Sequence, residues 1–307
     1  MRKILTVCLS CCGVGLVALV VLLVIVQVQA RRLADTVVTE RGIVFGTGGG
    51  QPLKLDLTRP KEGKGLFPAL VLVHGGGWVG GGREDYRTFM EYFTREGIVC
   101  ISVDYRLAPK DRFPAQLEDV KCAVRWLRAN AARYHVDPNR IGALGGSAGA
   151  HLVAMLGTTA GDKRFEGSGG NPNQSSAICA MVCMSGAYDL SVGYRDSVQQ
   201  KEQEGKSVRG MLEALLGAPL KGAEARYSTA SPINYVSKKT VPTLLTHGTA
   251  DPLVPIEQSE LFYAKLKSAG VDLDYMRIDG GGHADFGKHP QEGIDRIVGF
   301  VRTHLLK

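Results

Sequence analysis

The pentapeptide Gly145-Gly146-Ser147-Ala148-Gly149 constrains this 307-residue chain more than any other feature. It follows an apolar run, Arg140–Leu144, that reads as a strand, and it precedes Ala150–Leu156, which reads as a helix. A serine at such a junction sits in a strained backbone that tolerates only small neighbours, and glycine two residues to either side removes the Cβ clashes. The turn lifts the hydroxyl above the edge of a sheet and sets it beside the free amides of a helix start. The bare pattern is common, but the strand and the helix around it make it specific.

The rest of the chain agrees with this junction. Beyond residue 36, short β-branched runs alternate with helix-period segments, the pattern of an α/β fold with a mainly parallel sheet covered by helices. Thr36–Phe45 and Leu53–Thr58 predict an opening antiparallel pair. Ala69–Val73, Ile98–Asp104, Arg140–Leu144, Ala177–Met184, Pro242–Thr246 and Val271–Ile278 predict the strands that follow. Leu117, Val120, Val124, Leu127 and Ala131 form one helical stripe, and Ile294, Ile297, Val301 and Leu305 form another. Gly97 and Gly270 stand where left-handed caps would close two further helices. About fifty residues, Leu190–Lys239, interrupt the rhythm; they read either as an inert insertion or as a lid or pocket wall.

Composition excludes several classes. Hydrophobic residues at 44% rule out disorder for the bulk of the chain, and 39 glycines without a Gly-X-Y period rule out collagen. The net charge of +7 is spread without a basic stripe interleaved with aromatics, so no nucleic-acid partner is expected. Residues 1–30 read as a targeting segment, leaving 31–307 as the folded domain. The length of the apolar run from Ile4 favours a membrane anchor, whereas Val28-Gln29-Ala30 offers a cleavage site, so the chain is expected to be exported, anchored or released. Cys8, Cys11 and Cys12 lie in that segment. Cys179 and Cys183, roughly 13 Å apart along one strand, cannot bridge to each other, and with Cys100 and Cys122 they read as free thiols. No metal site is expected, because none of these four cysteines shows CxxC spacing with histidine.

The candidate chemistry gathers in four loops. Ser147 is the candidate nucleophile. His74-Gly75-Gly76-Gly77-Trp78 follows a strand, and its glycines let amides approach one substrate oxygen; Gly76, Gly77 and Ala148 are the expected oxyanion donors, with Gly75 as a further contributor. Among seven histidines, His283 is expected to be the base, since it follows the last strand in the glycine-rich loop Asp279–Gly282. Asp251, after the strand Pro242–Thr246, is the expected acid that orients it. Asp189 also follows a strand and is the competitor, with helix capping as its alternative role.

In this order these residues resemble the α/β-hydrolase superfamily, specifically the hormone-sensitive-lipase-like esterases and the related feruloyl or acetyl esterase branch. The resemblance spans roughly 37–305 and includes Asp104-Tyr105-Arg106-Leu107-Ala108-Pro109, Phe113-Pro114-Ala115 and Asp251-Pro252 beside the motifs above. It implies an eight-stranded sheet and hydrolysis of carboxylic esters without a cofactor. Gly145 and Ala150 depart from the lipase-like pattern, and Ala150-His151 is nearer to the feruloyl or acetyl branch. Only residues 31–73 separate the targeting segment from His74, too few for an N-terminal helical cap, so a more open pocket and short acyl groups, acetyl above all, are expected. The expected substrate is a small-molecule or carbohydrate ester, and the N-terminal segment is expected to engage a membrane or the export machinery. A peptidase or amidase on the same scaffold, and a non-catalytic binding protein, are the competing readings.

Overall fold

The computed structural model describes residues 36–197, 207–285, 287–288 and 290–306. The targeting segment 1–30, its three cysteines, and residues 198–206 of the long excursion lie outside the described residues. Eight strands form one sheet: β1 Val37–Gly48, β2 Gln51–Pro60, β3 Phe67–Val73, β4 Val99–Val103, β5 Val136–Gly146, β6 Met181–Met184, β7 Thr243–Gly248 and β8 Leu273–Ile278. Their order is β1-β2-β4-β3-β5-β6-β7-β8, with β2 antiparallel to both neighbours and the rest parallel. This is the α/β-hydrolase fold implied by the motifs.

Among the described residues nine α-helices accompany the strands: α1 Arg87–Arg95, α2 Ala115–Ala129, α3 Ala131–Tyr134, α4 Ala148–Thr158, α5 Leu190–Asp196, α6 Val208–Leu216, α7 Glu224–Thr229, α8 Glu257–Ser268 and α9 Pro290–Leu305. The two-residue period of the strands divides the core. Ala69, Val71 and Val73 of β3 pack with the α2 stripe of Leu117, Val120, Val124 and Leu127. Leu70 and Leu72 face the other way, onto Met90 and Phe93 of α1 and Ile297, Val301 and Leu305 of α9. Gly97 and Gly270 adopt φ of +83° and +72°, as their capping positions require.

Strand boundaries shift from the sequence expectation by a few residues, most at the starts of β5 and β6. β5 begins at Val136, which pairs with Phe67 ahead of a register shift. β6 begins only at Met181; the preceding Ala177 carbonyl is taken by the Arg128 guanidinium at 2.8 Å. A side-chain donor there replaces the ladder partner. Cys100, Cys122, Cys179 and Cys183 are free thiols. Among the described residues no helix is long and apolar enough to cross a membrane, and no group of three His, Cys, Asp or Glu residues is placed to hold a metal ion.

Candidate active site

Ser147 occupies the single residue between β5 and α4, with φ 55° and ψ −123°. A non-glycine residue in that region is strained, and the surroundings hold it there. Its amide donates to the Met184 carbonyl at 2.8 Å, tying the turn to β6. A Cβ on Gly145 would lie 2.5 Å from the Gly149 backbone, and one on Gly149 would lie 2.0 Å from the Val73 carbonyl oxygen. Both glycines are therefore fixed by close approach of main chains.

The loop after β3 curls beside this turn. Gly76 and Gly77 have φ of +98° and +60°, a region that favours glycine. Among the described residues, the amides of Gly76, Gly77 and Ala148 donate to no acceptor, and all three residues line the cavity that holds Ser147. Two buried contacts brace the loop. His74 stacks on Tyr105 with ring centroids 4.1 Å apart, and the Tyr105 hydroxyl donates to the His74 carbonyl at 3.0 Å. Trp78 Nε1 donates to His151 Nδ1 at 3.1 Å, which places the His151 proton on Nε2, where it donates to the Ala230 carbonyl at 2.7 Å. One neutral imidazole thus joins the glycine loop, the nucleophile helix and the long excursion. Burial pushes its pKa down to about 4.

At the other side of the sheet, His283 Nδ1 donates to Asp251 Oδ2 at 2.8 Å. The aspartate side chain is fully buried, and its Oδ1 accepts from the amides of Leu253 and Val254 at 2.9 Å each. Burial alone would raise its pKa, but the His247 and His283 imidazoles and the Val254 amide outweigh it and hold the carboxyl well below its ordinary value. His247 Nε2 lies 3.1 Å from Asp251 Oδ2 and donates to the Val254 carbonyl at 2.8 Å. The loop bearing His283 is stitched in place by Ala250 N to Gly281 O at 2.9 Å and by Ala284 N to Ser185 Oγ at 3.1 Å. Asp189 instead caps α5, accepting from the amides of Ser191 and Val192 at 3.0 Å.

Ser147 and His283 line one cavity of about 490 Å³, without a hydrogen bond between them. Catalytic contacts of this kind are often long until a substrate is bound. The excursion is not an inert insertion: Leu190 of α5 and Val208, Met211 and Leu212 of α6 wall this cavity. The excursion thus supplies a wall on the side where α5 and α6 stand, without an N-terminal cap among the described residues. Sequence reasoning placed Ser147, His283, Asp251 and the glycine loop here, but missed His247, Gln258 and the Trp78–His151 bond. His247 was signalled only by standing four residues before Asp251, near the end of β7.

Residues 55–266 match the family model BD-FAE. Esterase LipC of Mycobacterium tuberculosis is 31% identical over 250 residues, covering 80% of this chain and 60% of its own length. Esterase LipQ of the same organism is 32% identical, covering 79% and 56%. The chain thus spans a little over half the length of these relatives. Among solved structures, a truncated carbohydrate esterase from gut microbiota superimposes with a TM-score of 0.76 at 26% identity, covering 88% of this chain and 97% of that one. The butyrate-bound esterase Est2 of Thermogutta terrifontis gives 0.71 at 27% identity, covering 86% and 94%.

Proposed function

The chain belongs to the BD-FAE family of α/β-hydrolases, and from that membership and the geometry of its cavity we propose that it is a serine carboxylic ester hydrolase acting on short acyl esters. The observation that carries this reading is the convergence on one cavity of a strained serine, three unpaired amides and an imidazole held by a buried carboxylate.

His283 Nε2 takes the proton of Ser147 Oγ, which attacks the ester carbonyl. The developing oxyanion accepts from the amides of Gly76, Gly77 and Ala148, the last at the positive end of α4. Asp251 keeps the other imidazole proton on Nδ1 and stabilises the imidazolium, which then protonates the departing alcohol. Water repeats the attack on the acyl-enzyme, with His283 again as base. No cofactor enters this sequence. Similarity to carbohydrate esterases supports sugar esters, acetates above all, as the substrate class. The apolar segment 1–30 supports export of the chain.

The test is hydrolysis of nitrophenyl acetate and butyrate together with labelling by a serine-reactive phosphonate. Ser147→Ala should abolish labelling and lower turnover by about 10⁴-fold, because the covalent route disappears while the oxyanion donors remain. Folded Ser147→Ala protein with near-normal turnover would overturn the reading.

A further inference from the structure

Gln258, the second residue of α8, is 1% exposed and lines the same cavity. Its Oε1 accepts from the amides of Tyr188 and Asp189, each at 2.9 Å. Those two backbone donors leave no freedom to exchange oxygen and nitrogen, since a flipped amide would set donor against donor. Nε2 is consequently fixed on the far side of the group, and among the described residues it has no hydrogen-bond partner although it is fully buried. Gly193 of α5, another residue of the cavity wall, lies over it: a Cβ there would stand 3.7 Å from Nε2. A buried amide donor without an acceptor is costly, and most such groups in native proteins are met by a ligand, water or ion.

The topology says where an acceptor would come from. The glycine loop follows β3, on one side of the nucleophile strand β5, whereas Tyr188, Gly193 and Gln258 belong to the β6–β7 side. Gln258 thus lines the same cavity as the amides of Gly76, Gly77 and Ala148, but from the opposite side of β5, the side on which a substituent of a bound ester can approach it. Leu190, Leu253 and Val254, which line the cavity together with Gln258, bring no side-chain acceptor to Nε2.

We propose that Gln258 Nε2 is a specificity-determining donor that selects esters carrying an acceptor oxygen (ether, hydroxyl or carbonyl) a few bonds beyond the scissile carbonyl. This rests on the ester-hydrolase reading above. Such substrates include hydroxy- and alkoxy-acyl esters and esters of polyols or sugars, with the oxygen on the acyl or on the alcohol arm.

Two isosteric pairs test it: ethyl 3-methoxypropanoate against ethyl pentanoate for the acyl arm, and 2-methoxyethyl acetate against butyl acetate for the alcohol arm. In each, one ether oxygen replaces one methylene. Gln258→Glu keeps an acceptor for the Tyr188 and Asp189 amides but presents oxygen where the donor was. Gly193→Ala, at a helical position that accepts alanine, lays a methyl group over Nε2. The ether-to-methylene ratio of kcat/KM, compared with the wild-type ratio to cancel intrinsic reactivity, should fall about tenfold in Gln258→Glu for the arm that reaches this site. Gly193→Ala should lower the same ratio by a smaller factor. A merely structural glutamine would move both members of a pair together. Ratios unchanged within about twofold in both variants, while the methylene esters are still cleaved, would overturn the proposal. Failure of Gln258→Glu to fold leaves Gly193→Ala to decide it. A wild-type protein inactive on all four esters overturns the ester reading, and this inference with it.

Discussion

Acid should weaken this fold through one imidazole well before it reaches the carboxylates. His151 is fully buried, its Nδ1 accepts from Trp78 Nε1, and burial lowers its pKa to about 4. In the unfolded chain the same group has a pKa of about 6.5. The unfolded state therefore takes up the proton first, so stability is full above about pH 6.5 and is lost as pH falls toward 4. Linkage over those two values gives a loss of about 2 kcal/mol at pH 5 and about 3 kcal/mol at pH 4. A proton on Nδ1 would also face the indole N–H and break the bond that ties the glycine loop to the nucleophile helix. The assay is urea unfolding of wild type and His151→Gln between pH 8 and 5. Glutamine can accept from Trp78 and donate to Ala230 without titrating in this range. At a urea slope of about 2–3 kcal/mol/M, the wild-type midpoint should drop by roughly 1 M at pH 5 relative to pH 8. The midpoint of His151→Gln should fall by distinctly less; the remainder comes from His74, whose pKa burial also lowers. Identical pH dependence in the two proteins would refute the reasoning.

The two candidate acids should separate cleanly. Asp251→Asn removes the charge that receives His283 Nδ1 and should lower ester turnover by about 10⁴-fold, whereas Asp189→Ala should cost about 1 kcal/mol of stability as a lost helix cap and leave turnover of the folded protein nearly intact. Steady-state rates and thermal melts on both variants check this, and the reverse ranking would move the acid to the loop after β6. Across nitrophenyl esters of increasing acyl length, kcat/KM should peak at about two to four carbons, because the cavity beside Ser147, walled by α5 and α6, holds only about 490 Å³. Each methylene that fits adds about 0.8 kcal/mol, so a maximum at ten or more carbons would show an extended acyl tunnel.

The sequence by itself determined what is local. The turn at Ser147 is written in Gly145, because a Cβ there would strike the Gly149 main chain of the same turn, whereas Gly149 is fixed by the approach of the Val73 carbonyl from β3. Eight strand segments and the helical stripes of α2 and α9 were legible for a similar reason: burial on one or both faces leaves an apolar period that neighbouring residues display. Strand ends were less legible, since the limits of β5 and β6 depend on a register shift and on the Arg128 guanidinium, which arrive from elsewhere in the chain.

Only the tertiary structure decided which distant groups meet. Asp189 and Asp251 each follow a strand, and the sequence favoured Asp251 without placing it against His283. β8 lies against β7 and not against β6, so the loop bearing His283 reaches Asp251, and Asp189 is left to cap α5. The same crossovers turned Leu190–Lys239 from an unplaced excursion into a cavity wall, joined Trp78 to His151 across 73 positions, and left Gln258 Nε2 buried without a partner. These contacts are set by strand order and by the packing of loops above the sheet, and no run of neighbouring residues encodes them.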